Sequence, residues 1–364
     1  MVSNSLKIAL LGGDGIGPEV VQEALKVLLA VSDVFGFSIS HDSGLVGAAA
    51  VGAGQKPLPD DTLKLCLDSD AILFGAVGDP RYGDLPPDQL PERALLYLRK
   101  GLDLFANLRP VKPIPALADA SSLKREVLEG VDILIVRELV SGLYFGQPRG
   151  YDKDENGRFA FNTMWYHENE VKRIGKVAFD AAMQRRKKLC SADKANALEA
   201  MQLWRETMTS IAPEWPEVEL SHMYADNAAM QLVQNPRAFD VMVASNMFGD
   251  VLSDIGAQLT GSLGMLPSAS LGGTVGLFEP VHGSAPDIAG KGIANPMAAI
   301  FSASLLLIHS KGMTEAADLI DRSVNAILDE GWRTRDLADA NTPEGRILTT
   351  TEIGDRIAAK VREA

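Results

Sequence analysis

Residues 239–254 read FDVMVASNMFGDVLSD, and the stretch carries a fold signal and a chemical one. Phe239–Ser245 is a short apolar run of strand length, and the run Asp250–Asp254 opens a helix candidate directly behind it. A strand passing straight into a helix is the unit from which α/β folds are built. Residues four apart share a helix face, so Asp250 and Asp254 emerge side by side. Like charges so placed repel, and a divalent cation would relieve them. A third carboxylate stands upstream in Tyr224-Ala225-Asp226-Asn227. No Cys or His crowds the pair, and an oxygen-only set favours Mg²⁺ or Mn²⁺ over zinc or copper.

Outward from this stretch the same alternation recurs. Leu6–Leu11, Ala71–Phe74, Val131–Val136 and Val241–Ala244 read as buried strands. Glu19–Ser32, Pro91–Lys100, Val171–Lys188, Ala195–Ile211 and Asn295–His309 read as helices, with Pro18 near the start of the first. The expected class is α/β. Gly and Pro mark three long loops, Gly75–Pro91, Gly142–Gly157 and Gly261–Pro286, where function or subunit contacts concentrate. Phe145–Asn162 reads either as an arm or hairpin reaching a partner subunit or as an ordinary surface loop.

The chain has 364 residues, 46% hydrophobic and 23% charged, which suits a soluble protein of about two domains. A formal net charge of −13 argues against nucleic acid and anionic membrane as partners. It leaves small anionic substrates open, because a local arginine cluster overrides the global sign. The two cysteines, Cys66 and Cys190, lie in helix-like patterns without metal-ligand spacing and read as reduced, buried thiols. No signal peptide is recognisable, and the longest apolar stretch, Ala298–Ile308, is too short to span a bilayer. The expected location is cytoplasmic.

Gly12-Gly13-Asp14-Gly15-Ile16-Gly17-Pro18 fails the dinucleotide fingerprint, because its third glycine position falls on Pro18. It reads as a tight strand-to-helix turn. Arg99, Arg109 and Arg137 are candidates to grip carboxylates by bidentate forks, against the plain reading of surface salt bridges. Tyr144, between Gly142 and Gly146, is a candidate acid or a packed tyrosine. Lys194, expected at the start of a helix, is a candidate base or an exposed lysine. The loop EPVHGSAPDIAG at 279–290 is rich in small residues, which allow close contact with a flat ligand. Asp287 there suits the two hydroxyls of a ribose and repels a 2′-phosphate, favouring NAD over NADP. His282 reads either as packing beside an adenine ring or as a locally bonded loop histidine.

Nine segments in order resemble the isocitrate/isopropylmalate, or β-decarboxylating, dehydrogenase family: GGDGIGPEV at 12–20, LLYLRK at 95–100, ANLRPVKP at 106–113, VRE at 136–138, DKAN at 193–196, MYADN at 223–227, NMFGDVLSD at 246–254, GSLGMLPSAS at 261–270 and EPVHGSAPDIAGKGIANP at 279–296. The resemblance runs essentially the full length and leans to the members that oxidise 3-isopropylmalate in leucine biosynthesis. It implies a two-domain α/β fold with a cleft between domains, distinct from the Rossmann dinucleotide fold. The first domain would be 1–104 plus 258–364, carrying most of the NAD site. The second, 105–257, would carry the dimer interface. By position, Asp226, Asp250 and Asp254 match the metal ligands, and Arg99, Arg109 and Arg137 the malate carboxylate binders. Tyr144 and Lys194 match the acid–base pair. Lys194 and Asp226 would be donated across a homodimer with shared active sites. Glu92 matches a residue near the nicotinamide. Gly283, Ser284, Ala285, Asp287, Ile288 and Asn295 match the NAD loop. Leu95 and Leu96 match the alkyl pocket, which disfavours the third carboxylate of isocitrate. Homoisocitrate, isocitrate and tartrate or other 3-alkylmalates remain alternative substrates. Two departures stand out: Ala197, where the family usually has valine against the alkyl end, and Val140-Ser141, where it commonly has threonine and glycine.

Overall fold

The computed structural model of the chain describes residues 5–364. Residues 5–104 run β1 (Ser5–Gly13), α1 (Gly17–Phe35), β2 (Ser38–Ser43), α2 (Ala48–Gly52), α3 (Asp60–Leu67), β3 (Ala71–Ala76) and α4 (Arg93–Gly101). The middle of the chain holds β4 (Ala106–Val111), α5 (Arg125–Leu128), β5 (Ile133–Glu138), β6 (Gly150–Asp154), β7 (Gly157–Phe161), α6 (Glu168–Met183), β8 (Lys188–Asp193), α7 (Glu199–Ile211), β9 (Glu219–Tyr224), α8 (Ala225–Gln234), β10 (Val241–Ala244) and α9 (Asn246–Ala257). The remainder is β11 (Pro267–Leu271), β12 (Gly276–Pro280), α10 (Met297–Lys311), α11 (Thr314–Asp329) and α12 (Thr350–Arg362).

These elements form two compact units, one of the described residues up to 104 with 113–125 and 257–364, the other of 105–112 and 126–256. In the first, strands follow the order β2-β1-β3-β12-β11. β1 is parallel to β2 and β3, β12 is parallel to β3, and β11 is antiparallel to β12. β3 is buried along its whole length, as parallel strands covered on both faces must be. α1 packs on α10 and α12, and α10 packs on β11 and β12. In the second unit the order is β4-β5-β10-β8-β9. β4 is antiparallel to β5, and the other neighbours are parallel. α6 packs on β5, β8 and β10 of that sheet and against α7.

The α/β reading holds, with corrections at particular elements. The predicted helix 171–188 ends at Met183, and Lys188 begins a strand. Nothing in Gln184-Arg185-Arg186-Lys187 opposes helix locally. The stop is tertiary: Arg185 is drawn to Asp240 at 2.8 Å and Asp132 at 2.6 Å, and Lys187 turns the chain at φ 61°. Cys190 therefore sits in β8 rather than a helix, although both thiols are buried as expected, and burial pushes them up to about 12 (Cys66) and about 11 (Cys190). Lys194 does not start a helix. It directly follows β8, and α7 begins only at Glu199. The stretch 261–286 is not a loop throughout, because it contains the buried hairpin β11–β12. Its small residues, Ser268, Ala269 and Ser270, hide a strand whose burial comes from its neighbours rather than from its own side chains. Within 145–162 the chain forms a hairpin, β6 and β7 pairing antiparallel and largely exposed.

Candidate active site

In the second unit the sheet itself assembles the charged cluster. Antiparallel register sets Asn107 opposite Arg137 and Arg109 opposite Ile135. Residues two apart on a strand share a face, so Asn107, Arg109 and Arg137 project to one side. α9 crosses that side. A Cβ on Gly249 would lie 2.7 Å from the Arg137 Cγ, so the bare glycine is what lets the guanidinium pass. Both arginines are buried, at 5% and 3% exposure.

Arg109 donates from Nε to Asn107 Oδ1 at 2.6 Å and from Nη1 to the Ser253 hydroxyl at 2.6 Å. Its guanidinium lies 3.6 Å from Asp250 and 3.8 Å from Asp254. Arg137 pairs directly with Asp250, and the Tyr144 hydroxyl donates to the other Asp250 oxygen at 3.0 Å. The Arg137 guanidinium also sits 5.8 Å from the Tyr144 ring centroid. Burial, and then the Asp250 charge, push the Tyr144 phenol above its ordinary value, so it is an O–H donor at neutral pH. Burial and Asp250 likewise push the Asp254 carboxyl up. The two carboxylates lie one turn apart on α9, as expected, and Asp254 keeps a largely exposed side chain. Hard oxygen donors in unfavourable proximity fit a divalent cation.

Lys194 and Asp226 form a separate pair in the same unit. Lys194 follows β8, Asp226 lies in the first turn of α8 behind β9, and their side chains meet at 2.8 Å. The Lys194 ammonium holds the Asp226 carboxyl below its ordinary value. Asp193, fully buried, anchors the turn by accepting from Ala195 N at 3.0 Å and from Arg205 at 2.8 and 2.9 Å. The Tyr224 ring has Lys194 at 5.8 Å and Arg205 at 5.0 Å. Ala197 is exposed in the following turn. Among the described residues of one chain, no three Asp, Glu, His or Cys side chains gather as a metal site. Asp226 therefore does not join Asp250 and Asp254 within a single copy.

The first unit carries the remaining candidates. Arg99, on α4, is buried and lies 3.2 Å from buried Glu279 on β12. Its Nε has no hydrogen-bond partner, a cost that an incoming acceptor would remove. Leu95 packs partly into the core beside Leu98 and Leu102, while Leu96 is half-buried. Exposed Glu92 directly precedes α4, with no side-chain hydrogen bond to the helix end. A Cβ on Gly78 would lie 2.9 Å from the Glu92 carboxylate, so the two segments touch.

The 282–295 segment divides into structural and available groups. The Ser284 hydroxyl donates to Gly78 O at 2.6 Å, and its carbonyl accepts from Ile16 N at 2.8 Å. Asn295 is spent on Met297 N at 3.0 Å and Asp336 at 3.0 Å. Ala285 holds φ 39°, which is unusual for a residue with a Cβ. Gly283 is exposed with open space where a side chain would be, Ile288 is half-buried, and Asp287 is exposed. His282 turns Nδ1 to Gly283 O at 2.9 Å, and burial keeps the imidazole below its ordinary pKa. Its Nε2 is buried and unpartnered. An orphaned ring nitrogen, an open glycine and a free carboxylate fit an adenine nucleotide.

Sequence reading missed several residues that hold these groups. Asp14 accepts from Ala48 N, Ala49 N and Gly78 N, at 2.8 to 2.9 Å, and so ties three segments together. Gly15, at φ 57°, packs so tightly on Ser284 that a Cβ would fall 1.9 Å from its carbonyl oxygen. The 12–18 turn is thus the backing of the 284 loop, and a carboxylate between glycines was the available signal. Glu138, Tyr166, Asn246 and Asp336 gave no local signal.

Comparison with known proteins agrees with this arrangement. Residues 7–357 match the family described as isocitrate/isopropylmalate dehydrogenase. The 3-isopropylmalate dehydrogenase of Wolinella succinogenes is 56% identical over 97% of both chains. That of Gloeobacter violaceus is 54% identical over 98% of this chain and 99% of its own. Among solved structures, isocitrate dehydrogenase from Methylococcus capsulatus superposes with a TM-score of 0.86 at 35% identity, covering 98% and 99% of the two chains. A β-decarboxylating dehydrogenase from Thermococcus kodakarensis gives 0.79 at 32% identity, covering 98% and 96%. With the match spanning nearly the whole sequence and the fold shared end to end, the chain belongs to the isocitrate/isopropylmalate dehydrogenase family.

Proposed function

We propose that this β-decarboxylating dehydrogenase oxidises 3-isopropylmalate with NAD⁺, releasing CO₂ and 4-methyl-2-oxopentanoate for leucine biosynthesis. The observation that carries the reading is the Asp250 side chain, which receives Arg137 and Tyr144 while Asp254 stands open one turn away. Asp250 and Asp254, with Asp226 from a second copy of the chain, would hold Mg²⁺ or Mn²⁺. When bound, the cation would supply Lewis acidity beside these carboxylates, and NAD⁺ would supply the hydride acceptor.

The side chains do the rest. Arg99, Arg109 and Arg137 hold the two malate carboxylates by charge-assisted forks. Lys194, also from the second copy, first gives a proton up to Asp226, 2.8 Å away, and in its neutral form then takes the hydroxyl proton at Nζ. Loss of CO₂ leaves its electron pair on the carbon skeleton, and Tyr144 delivers a proton to C3. Leu95 and Leu96 take the isopropyl group, whose burial contributes roughly 1.5–3 kcal/mol. Glu92, Gly283, Ser284, Ala285, Asp287, Ile288 and Asn295 serve the cofactor, with His282 beside the adenine. Exposed apolar side chains on the hairpin and on α8, among them Tyr151, Phe159 and Met230, suit burial against a second copy. No helix of the described residues is long and apolar enough to cross a membrane, and a small soluble substrate suits the cytoplasm.

The test is NADH formation with Mn²⁺ across 3-isopropylmalate, isocitrate, homoisocitrate, tartrate and malate. We expect kcat/KM for 3-isopropylmalate to exceed each of the others by at least about tenfold, the worth of one buried alkyl group. An equal or faster rate with isocitrate overturns the substrate assignment.

A further inference from the structure

One buried carboxylate takes no direct part in this scheme and yet is tied to the segments that carry Arg137 and Tyr144. Glu138 closes β5 immediately after Arg137 and is fully buried. Its Oε1 accepts from Val140 N at 2.8 Å, and its Oε2 accepts from Ser141 N at 3.1 Å and from the Tyr166 hydroxyl at 3.4 Å. The Tyr166 hydroxyl in turn accepts from Asn246 N at 3.0 Å. Asn246 Oδ1 accepts from Arg137 at 2.9 and 3.3 Å, and its Nδ2 donates to Ser141 O at 3.2 Å. The circuit closes on itself: strand end, turn, Tyr166 and α9 start are joined through one carboxylate. The Ser141 hydroxyl adds a tie to Glu170, which caps α6 through His167 N at 2.8 Å.

The turn leads straight to Tyr144. Gly142 is what permits the approach: it holds φ 72°, and a Cβ there would fall 2.2 Å from the Tyr166 oxygen. Tyr166 is itself fixed, with its ring edge-on to buried Trp204 at 5.4 Å. A buried and connected polar network of this kind holds one geometry, because each lost partner leaves another group unsatisfied.

We propose that Glu138 is a positioning residue: it sets the 139–144 turn directly and the Arg137 guanidinium through Tyr166 and Asn246, so that Tyr144 and Arg137 meet on the same Asp250 side chain. The role rests on the function proposed above. It acts on the substrate side alone, since the network includes none of the 282–295 segment. Misplacement by about 1 Å is enough to cost on the order of 100-fold in rate.

The test compares the full-length protein with Glu138→Gln and Tyr166→Phe, with rates normalised to folded enzyme. The first keeps one acceptor and turns an NH₂ toward a backbone N–H; the second keeps the ring and removes only the hydroxyl. We expect kcat/KM for the dicarboxylate to fall at least about tenfold in each, while KM for NAD⁺ moves less than about twofold. The double variant should lose little more than the worse single one, because both cut one path. A merely structural role would lower Tm and folded fraction and leave normalised kcat/KM within about twofold of the parent, which overturns the proposal. If the parent oxidises none of the five dicarboxylates, the function reading fails and this role falls with it. If the parent is active and Tyr166→Phe matches it, only this role fails.

Discussion

The Tyr144 hydroxyl donates to Asp250 at 3.0 Å, on the oxygen opposite the one Arg137 holds. One carboxylate therefore orients a proton donor and a carboxylate-binding fork at once, and the phenol is kept protonated by burial and by the charge it faces. Several consequences can be measured.

Tyr144→Phe removes the donor and keeps the ring beside Arg137. We expect kcat to fall by about 10²–10⁴, the usual worth of a positioned acid, with little change in KM. Stability should drop by no more than about 1 kcal/mol, one partly exposed hydrogen bond. Steady-state NADH formation and a thermal melt decide it. A variant with parental kcat removes Tyr144 from the acid role.

Arg99 and Glu279 form a buried pair in the first unit, with the Arg99 Nε unpartnered. Arg99→Met strands a buried carboxylate and should cost about 3–5 kcal/mol. Adding Glu279→Leu should restore most of the stability, because an apolar pair of similar volume replaces the ion pair. It should not restore KM for the dicarboxylate. Recovery of both by the double variant would make Arg99 purely structural.

Burial pushes the Glu138 carboxyl up to about 7, against an ordinary 4.5. A raised folded-state value favours the protonated form, so this contribution is full below pH 4.5 and is lost as pH rises through 7. Glutamine does not titrate, so whatever it costs the network is independent of pH. The stability of Glu138→Gln minus that of the parent should therefore rise between pH 4.5 and 7, by up to about 3 kcal/mol at 1.36 kcal/mol per unit. Urea melts of both proteins at pH 5 and pH 7.5 measure the difference. A constant gap places the titration elsewhere.

Asp287 is exposed, and Ile288 beside it is half-buried. Asp287→Lys together with Ile288→Tyr exchanges a carboxylate that repels a 2′-phosphate for a cation that attracts it. The ratio of kcat/KM for NADP⁺ over NAD⁺ should rise at least about tenfold, or 1.4 kcal/mol. An unchanged ratio takes Asp287 out of cofactor selection.

Local sequence settled whatever short-range chemistry dictates. The apolar run ending at Ala244 and the helix behind it were legible, because strand and helix periods differ and Asp250 and Asp254 need only one turn to meet. The alternation of such units set the α/β class, and the small-residue loop with Asp287 was conspicuous on its own. What only the folded chain decided depends on partners far away in sequence. β11 and β12 are strands because buried neighbours cover their small side chains, and the helix before β8 stops because Asp132 and Asp240 draw Arg185 away. The register of β4 on β5 brings Arg109 and Arg137 to one face, and Glu138, Tyr166 and Asn246, separated by up to 108 positions (246 − 138), close their circuit only there. Hydrogen bonds have a range of a few ångströms, and nothing in a residue's near neighbours reports which distant group the fold will bring within it.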